Sequence, residues 1–367
     1  MTVSVYEAGY ADDCACGASA ASHVLSVGFG LDVQKASRNP LDPAAFDRIV
    51  ASLANAISGA AKGKEASAMN AALNKLDVNW RDLTGTEIDR VIESARASIA
   101  SIPSTRTLKP IKRHFRAEGD VVMRGSRKGE IGRLKASLGA QIGFDLTAGD
   151  LRVLDHMVES QALFVRNEFG RRSVKFSARA RRIVSEQLRA GIGSDGITEV
   201  LHKEMQSVGK TKSYWNVIAG VFVNRARTYG QLASYDEAGI QRFVFEAILD
   251  EVTTDQCATL HGRVFETAAG LDRYRQVEQS GDPESVIDLQ PWIRVGKDPD
   301  TGNRIMFTQN RGGGRQFVGE IVQSRVGTLD STGKQRNVVS SAALQNEIGA
   351  FMPPLHARCR STIVADV

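Results

Sequence analysis

Between Asp42 and Ala238 apolar residues return every three or four positions, the period of helices that each bury one face, and Gly and Pro interrupt the pattern only at intervals. "LDPAAFDRIVASLANAI" places Asp42 as an N-cap and Pro43 at the first helical position. In "TGTEIDRVIESARASIASIP" Ile88, Val91, Ile92, Ala95, Ile99 and Ile102 form one face, and Pro103 closes it. "LRVLDHMVESQALFVRNEFG" repeats the pattern with Leu151, Leu154, Val158, Ala162, Val165 and Phe169, and Gly170 is expected to stop it. A further helix is expected from Ala178 to Arg189, broken at Gly191 and Gly193, with Ser194 or Asp195 capping the next. "YWNVIAGVFVNRARTYGQLASYDEA", from Tyr214 to Ala238, reads as one long helix. These apolar faces need partners, so the helices must pack into a body.

After Ile240 the texture changes. "QRFVFEAIL" is rich in β-branched and aromatic residues, and "WIRVGKDPDTGNRIMF" sets an Asp-Pro-Asp-Thr-Gly-Asn turn between two short strand candidates. A second hairpin is expected in "FVGEIVQSRVGTLDSTGKQRNVVS". Residues 1–40 carry Gly, Ala and Ser without periodicity, the composition of an extended arm. At 367 residues the chain exceeds one average domain. The expected organisation is an N-terminal arm (1–40), a helical domain (41–239) and a compact α+β module (240–367): a mainly α protein with a smaller α+β C-terminal domain and β-hairpins. The N-terminus lacks the basic and apolar regions of a secretory signal. The longest apolar stretch, Trp215 to Val223, falls well short of the roughly 20 residues of a membrane span. A soluble protein made in the cytoplasm, without a membrane partner, is expected.

The 47 Lys and Arg against 42 Asp and Glu leave +5, too small a balance to identify a partner, so the distribution matters more. From Arg106 to Lys135 ten basic residues (Arg106, Lys109, Lys112, Arg113, Arg116, Arg124, Arg127, Lys128, Arg133, Lys135) stand against Glu118, Asp120 and Glu130, a local charge of +7. From Arg171 to Arg189 seven (Arg171, Arg172, Lys175, Arg179, Arg181, Arg182, Arg189) stand against Glu186, giving +6. Either these segments face nucleic-acid phosphate, or they are solvated helix faces and ion-pair partners. Few aromatics interleave, so any contact with nucleic acid would be electrostatic and independent of sequence.

Four cysteines are too few for a disulfide scaffold in a chain of this length, which leaves metal binding or burial. Cys14 and Cys16, with His23 following, could hold a metal, although one intervening residue is short for chelation and a flexible arm with two free thiols explains them as well. Cys257 and His261 are four apart and share a face if their segment is helical. His356 and Cys359 have the tight spacing of the second half of a zinc site. Together the two pairs supply two sulfurs and two nitrogens, a tetrahedral zinc set able to staple an excursion with little core of its own. Ordinary burial and capping is the competing explanation.

The succession "RARTYGQLASYDEAGI", "EAILDEVTTDQCATLHGRVF" and, after a variable stretch, "MPPLHARCRSTIV" resembles the phage Mu F-like head morphogenesis family of minor capsid proteins, over roughly residues 191–367. Asp250, Thr253 and Thr254 match the family's opening, Cys257 stands where it has His or Cys, and Leu260 with Gly262 form its Leu-x-Gly. Pro353, Pro354, His356, Cys359 and Arg360 match its closing motif, while His261 falls at a variable position. The stretch between the motifs is longer than the family's. The resemblance implies a virion component of a tailed phage, assembled in the host cytoplasm. It would sit near the portal vertex, contact the portal protein and the major capsid or scaffold protein, and act in head assembly with a possible part in DNA packaging or ejection.

Two other classes compete. A metal-dependent hydrolase, either a nuclease or a peptidase, would use Asp250, Glu251 and Asp255 beside the Cys/His set, but four protein ligands would fill the position that a catalytic zinc keeps for water. No nucleophile elbow, P-loop or HExxH occurs, and "RGGGR" from Arg311 lacks the Gly-Lys-Ser/Thr ending of a P-loop, so it is expected to be a turn. A general non-specific DNA-binding protein would rest on the basic segments alone.

Overall fold

The computed structural model describes residues 39–138, 143, 145–206, 212–324, 326–327 and 333–367. Residues 1–38 of the expected N-terminal arm, with Cys14, Cys16 and His23, lie outside the described residues. The described chain is mainly helical, with two small antiparallel sheets towards its C-terminus. Its described elements divide into two compact units, one built from residues 39–51, Ala117–Met157 and Ala219–Val367, the other from Ser52–Arg116 and Val158–Ile218.

Helix α1 (Pro43–Asn74) opens as its sequence requires, with Asp42 Oδ1 accepting the Ala45 N–H at 2.6 Å. Helix α2 (Gly85–Ala100) starts on a reciprocal cap between Thr84 and Glu87 and buries Ile92, Ala95 and Ile99. Helix α3 (Thr105–Leu138) follows, then α4 (Ala148–Arg189), α5 (Ser194–Gln206) and α6 (Lys212–Glu237). One expectation fails: α4 runs through Gly170. A glycine inside a helix costs only about 1 kcal/mol, and buried Phe169, Phe176, Ala180 and Ile183 continue the apolar stripe on both sides of it. The break falls instead at Gly191, whose φ of +73° is the left-handed turn that ends a helix. Ser194 does open α5, but its Oγ bonds Asn79 and the Arg81 N–H rather than capping.

The second unit holds α2, α5 and parts of α1, α3, α4 and α6. Trp80 is fully buried within it and donates to Thr198 Oγ1 at 3.3 Å. Arg81 holds the Gly191 and Ile192 carbonyls that the α4–α5 turn leaves free.

In the first unit the change from helix to strand falls between Glu237 and Arg242. Strand β1 (Arg242–Glu246) is the centre of a three-stranded sheet, with β2 (Val264–Glu266) on one side and the C-terminal β7 (Thr362–Ala365) on the other. Val244 lies opposite Val264 and Val364, and Phe245 opposite Ile363. Short α7 (Asp255–Leu260) sits between β1 and β2, and α8 (Thr267–Gln279) and the single turn α9 (Val286–Leu289) follow. The second sheet is a meander of β3 (Arg294–Lys297), β4 (Arg304–Gln309), β5 (Arg315–Gln323) and β6 (Lys334–Arg336), so both hairpins expected from the sequence form. A last helical segment, α10 (Ser341–Ala343), runs into a wider turn at Leu344–Ile348. Phe243, Phe265 and Phe351 cluster with ring centroids 5.4 to 6.4 Å apart and seal the first sheet. Among the described residues no helix is long and apolar enough to cross a membrane.

Candidate metal centre

Thr254 begins the centre. Its backbone is extended and its Oγ1 caps α7 by accepting the Cys257 N–H at 3.4 Å, which sets Cys257 in the first turn with its thiol buried. At the other end α7 stops at Leu260. His261 has φ −53° and ψ 131°, and Gly262 takes φ +76°, so the chain leaves the helix here and turns into β2. The four-residue rule that would align His261 with Cys257 assumes a helix that continues, and this one does not. His261 is exposed, its Nδ1 accepts the Ala247 N–H at 3.1 Å, and it is not part of the cluster.

His356 and Cys359 arrive from the closing motif. Buried Leu355 anchors the approach and accepts the Ile293 N–H at 2.9 Å, and the Cys359 N–H turns back to the His356 carbonyl at 3.3 Å. Cys257 Sγ lies 3.1 Å from His356 Nε2 and 3.7 Å from Cys359 Sγ, and the three donor atoms all fall within 4.8 Å of one another. Both cysteines are free thiols. A sulfur separation of 3.7 Å is far beyond a disulfide bond of about 2.0 Å. It does match the edge of roughly 3.8 Å that two Zn–S bonds of about 2.3 Å subtend in a tetrahedron. Cys257, His356 and Cys359 can therefore hold a metal ion, with the Cys257–His356 edge opening slightly to admit it.

The electrostatics divide the two thiols. The hydrogen bond Cys257 makes to Cys359, and then burial, hold Cys257 well above the ordinary thiol range. Burial also acts to raise Cys359, but the bond from Cys257 and the field of His356 outweigh it and bring this group well below. Burial lowers His356, partly offset by Cys359. Ser361 bonds both sulfurs, and Thr254 Oγ1 meets His356 Nε2 at 3.0 Å.

The two motif segments meet at three points. Thr254 contacts His356, Cys257 contacts Cys359, and Asp250 forms an ion pair with Arg360. Thr253 orients Asp250: its Oγ1 lies 3.1 Å from Oδ1 and accepts the Asp250 N–H at 2.7 Å. Leu260 is fully buried, and Pro353–Pro354, a cis pair that precedes Leu355, is buried too.

Helix α6 grips this assembly through residues whose part the sequence does not announce. Asn224 Nδ2 donates to the Cys359 carbonyl at 2.8 Å, Arg227 to the Arg360 and Ser361 carbonyls, Gln231 to the Ile363 carbonyl at 2.8 Å, and Tyr235 to the same carbonyl at 3.3 Å. Thr362 Oγ1 donates to Gln231 Oε1 at 3.1 Å. Spaced three or four apart, these side chains form one stripe that supplies backbone partners to the free edge of β7 and the segment before it. Arg227 is buried, stacks on Phe46 at 4.3 Å, and is pushed down to about 10 by burial, against the pull of Cys359 and Asp47. The signal that could have found them is polar residues at helical spacing inside an otherwise apolar helix.

The acids proposed for hydrolysis do not aim at the centre. Asp250 is committed to Arg360, Asp255 lies 3.6 Å from Arg304, and Glu251 is exposed. In "RGGGR", Arg311 is held by Asp282 and Asp288, and Arg315 stacks on Phe307 at 4.6 Å, so the segment is the β4–β5 turn.

The basic segments separate into spent and exposed charges. Arg171 pairs with Glu168, Arg172 with Glu65, Arg179 with Glu204, Arg181 with Asp89 and Glu93, and Arg182 with Glu186. In the first segment Lys112 pairs with Glu159, Arg124 with Asp120 and Asp145, and buried Arg127 with Asp150 and Glu237. Arg116 is half-buried, whereas Arg106, Lys109, Arg113, Lys128 and Lys175 are exposed. No family model, curated protein or solved structure matches the chain.

Proposed function

We propose that this chain is a non-enzymatic minor capsid protein of a tailed phage, acting in head assembly near the portal, with a zinc ion bound by Cys257, His356 and Cys359. The observation that carries the reading is the meeting of two motif segments about a hundred residues apart in one Cys–His–Cys centre, backed by the Thr254–His356 and Asp250–Arg360 contacts. A motif whose residues all serve one joint is a structural signature, and a zinc there adds its binding energy to folding. Two sulfurs and an imidazole favour zinc over harder ions, which take oxygen donors. The helical body supplies surface for the portal protein and the major capsid or scaffold protein, and exposed basic residues tolerate packaged DNA. Mass spectrometry of purified particles should find the chain at low copy number, and elemental analysis of the purified protein should find one zinc per chain. Absence from particles refutes the capsid role; a folded, metal-free protein refutes the zinc.

One observation favours the hydrolase alternative: three donors, not four, converge among the described residues, which leaves a coordination position for water. Against it, the nearby carboxylates are engaged elsewhere. Zinc-dependent turnover of a nucleic-acid or peptide substrate, lost in Cys359→Ser, would establish the enzyme reading.

A further inference from the structure

In the unit formed by Ser52–Arg116 and Val158–Ile218, a groove of 490 Å³ opens between the middle of α1 and the junction of α2 with α3. Lys64 and Arg106 line it together with Ser67, Ser101, Ser104 and Thr107, and no carboxylate does; the Ser67 and Ser101 hydroxyls are spent on the Gly63 and Ser98 carbonyls of their own helices. Glu65, next in sequence to Lys64, is turned to Arg172 at 3.1 Å. Ser104 and Thr107 face each other at 3.2 Å, so one of their two protons remains available to a ligand.

The groove continues as a charged stripe. Arg106, Lys109 and Arg113 stand at i, i+3 and i+7 of α3, on one face, and all three are exposed. Along the helix axis they are separated by about 4.5 and 6 Å, a spacing that lets successive cations meet phosphates on a strand carrying one charge per roughly 3.4 Å. Among the described residues none of Lys64, Arg106, Lys109 and Arg113 forms an ion pair, in contrast to the second basic segment, where five arginines are matched by acids of the same unit.

We propose that this groove and stripe bind phosphate groups, and that their ligand is the phosphodiester backbone of nucleic acid, held without regard to sequence. No aromatic residue lines the groove, so stacking on bases contributes nothing and the contact is electrostatic. The proposal identifies four residues, one of them outside both basic segments, and assigns the arginines from Arg171 to Arg182 a structural task. It is independent of the metal centre and of residence in a particle.

The test uses the full-length protein and a fluorescent double-stranded DNA of random sequence. Anisotropy titrations over a range of salt give the slope of log affinity against log salt. Replacing Lys64, Arg106, Lys109 and Arg113 together by Ala should reduce that slope by up to about 3.6, at roughly 0.9 for each phosphate that is no longer neutralised. An Arg181→Ala, Arg182→Ala double variant is expected to leave the slope unchanged. These residues are exposed, so circular dichroism should show both variants folded. In a competing arm inorganic phosphate is titrated against the DNA complex and, alone, against the labelled protein. Saturable phosphate binding that DNA fails to displace would assign the groove to free phosphate and overturn the nucleic-acid assignment. An unchanged slope in the fourfold variant, an equal loss in the control pair, or no DNA binding at low salt would overturn the proposal.

Discussion

Which nitrogen of His356 carries the proton governs how the centre takes a metal. The Arg358 N–H points at His356 Nδ1 at 3.3 Å, a long contact that puts the ring proton on Nε2, facing Cys257 and Thr254. A metal at Nε2 moves that proton to Nδ1 and ends the contact with Arg358. Cys257, held as a thiol, must also lose its proton, so metal affinity should rise with pH, measurable by chelator competition at two pH values. Cys359→Ser should abolish stoichiometric zinc while His261→Ala retains it; loss in both variants would return His261 to the ligand set. The convergence of Cys257, His356 and Cys359 was legible only in part: the short spacing marked His356 and Cys359 as a pair, whereas Cys257 was paired in the sequence with His261, which stays outside the cluster. His261 was misread although the signal lay next to it, in Gly262, which needs φ +76° and ends the helix one residue too early. Glu130 offers a second residue-scale test. Burial raises its carboxyl above the 4.5 of an unfolded chain, with Gln231 donating to Oε1 at 2.9 Å and the Tyr235 hydroxyl, its one proton shared with the Ile363 carbonyl, 3.2 Å from the same oxygen. Stability from the neutral form is full below pH 4.5 and declines as pH climbs through the raised folded value. Glu130→Gln keeps an acceptor oxygen without the charge, so thermal melts should show it gaining on wild type as pH rises from about 4 to 8; parallel curves would refute this.

Two glycines separate what an element demands of itself from what its neighbour demands. Gly170 is exposed on α4, with nothing within 4 Å of a Cβ placed there. Gly170→Ala should therefore stabilise by roughly 0.5–1 kcal/mol through helix propensity alone. Gly230 on α6 is different: its Cβ would stand 2.8 Å from the Met123 carbonyl of α3 and 3.0 Å from Ser126 Cβ, and backbone cannot move aside cheaply. Gly230→Ala should cost about 1–3 kcal/mol. Chemical denaturation of both variants checks the pair, and equal effects would mean that α3 and α6 do not approach as described. The helices themselves were legible because their stripes repeat over many turns. Neither glycine's role was, since a sequence shows a propensity but not the neighbour that overrides it. The same limit hid the stripe of Asn224, Arg227, Gln231 and Tyr235: polar residues at helical spacing suggest a face in water, yet here they are buried against the edge of β7.

At the scale of the whole molecule the compact units cut across the order of the chain, because helices long enough to serve two cores belong wholly to neither. Hydrophobic period reports where a helix is, not which core each of its turns enters, so this partition was not legible beforehand. It makes metal removal informative. The centre joins residues about a hundred positions apart, with the whole second sheet in the loop between them. Without metal the same segments remain tied by four residue pairs of the β1–β7 ladder, by Asp250–Arg360 and by the α6 side chains. If the proposed zinc is bound, stripping it should therefore lower the melting temperature without unfolding the chain. The loss should follow mass action, about 2.7 kcal/mol for a metal held at a hundred times its dissociation constant. Hydrogen exchange should quicken at residues 242–266 and 355–365, in the unit that holds the centre, and stay unchanged in α2 and α5, which belong to the other. Global unfolding on chelation would make the metal the organiser of both cores, and unaltered exchange at 355–365 would remove its structural role.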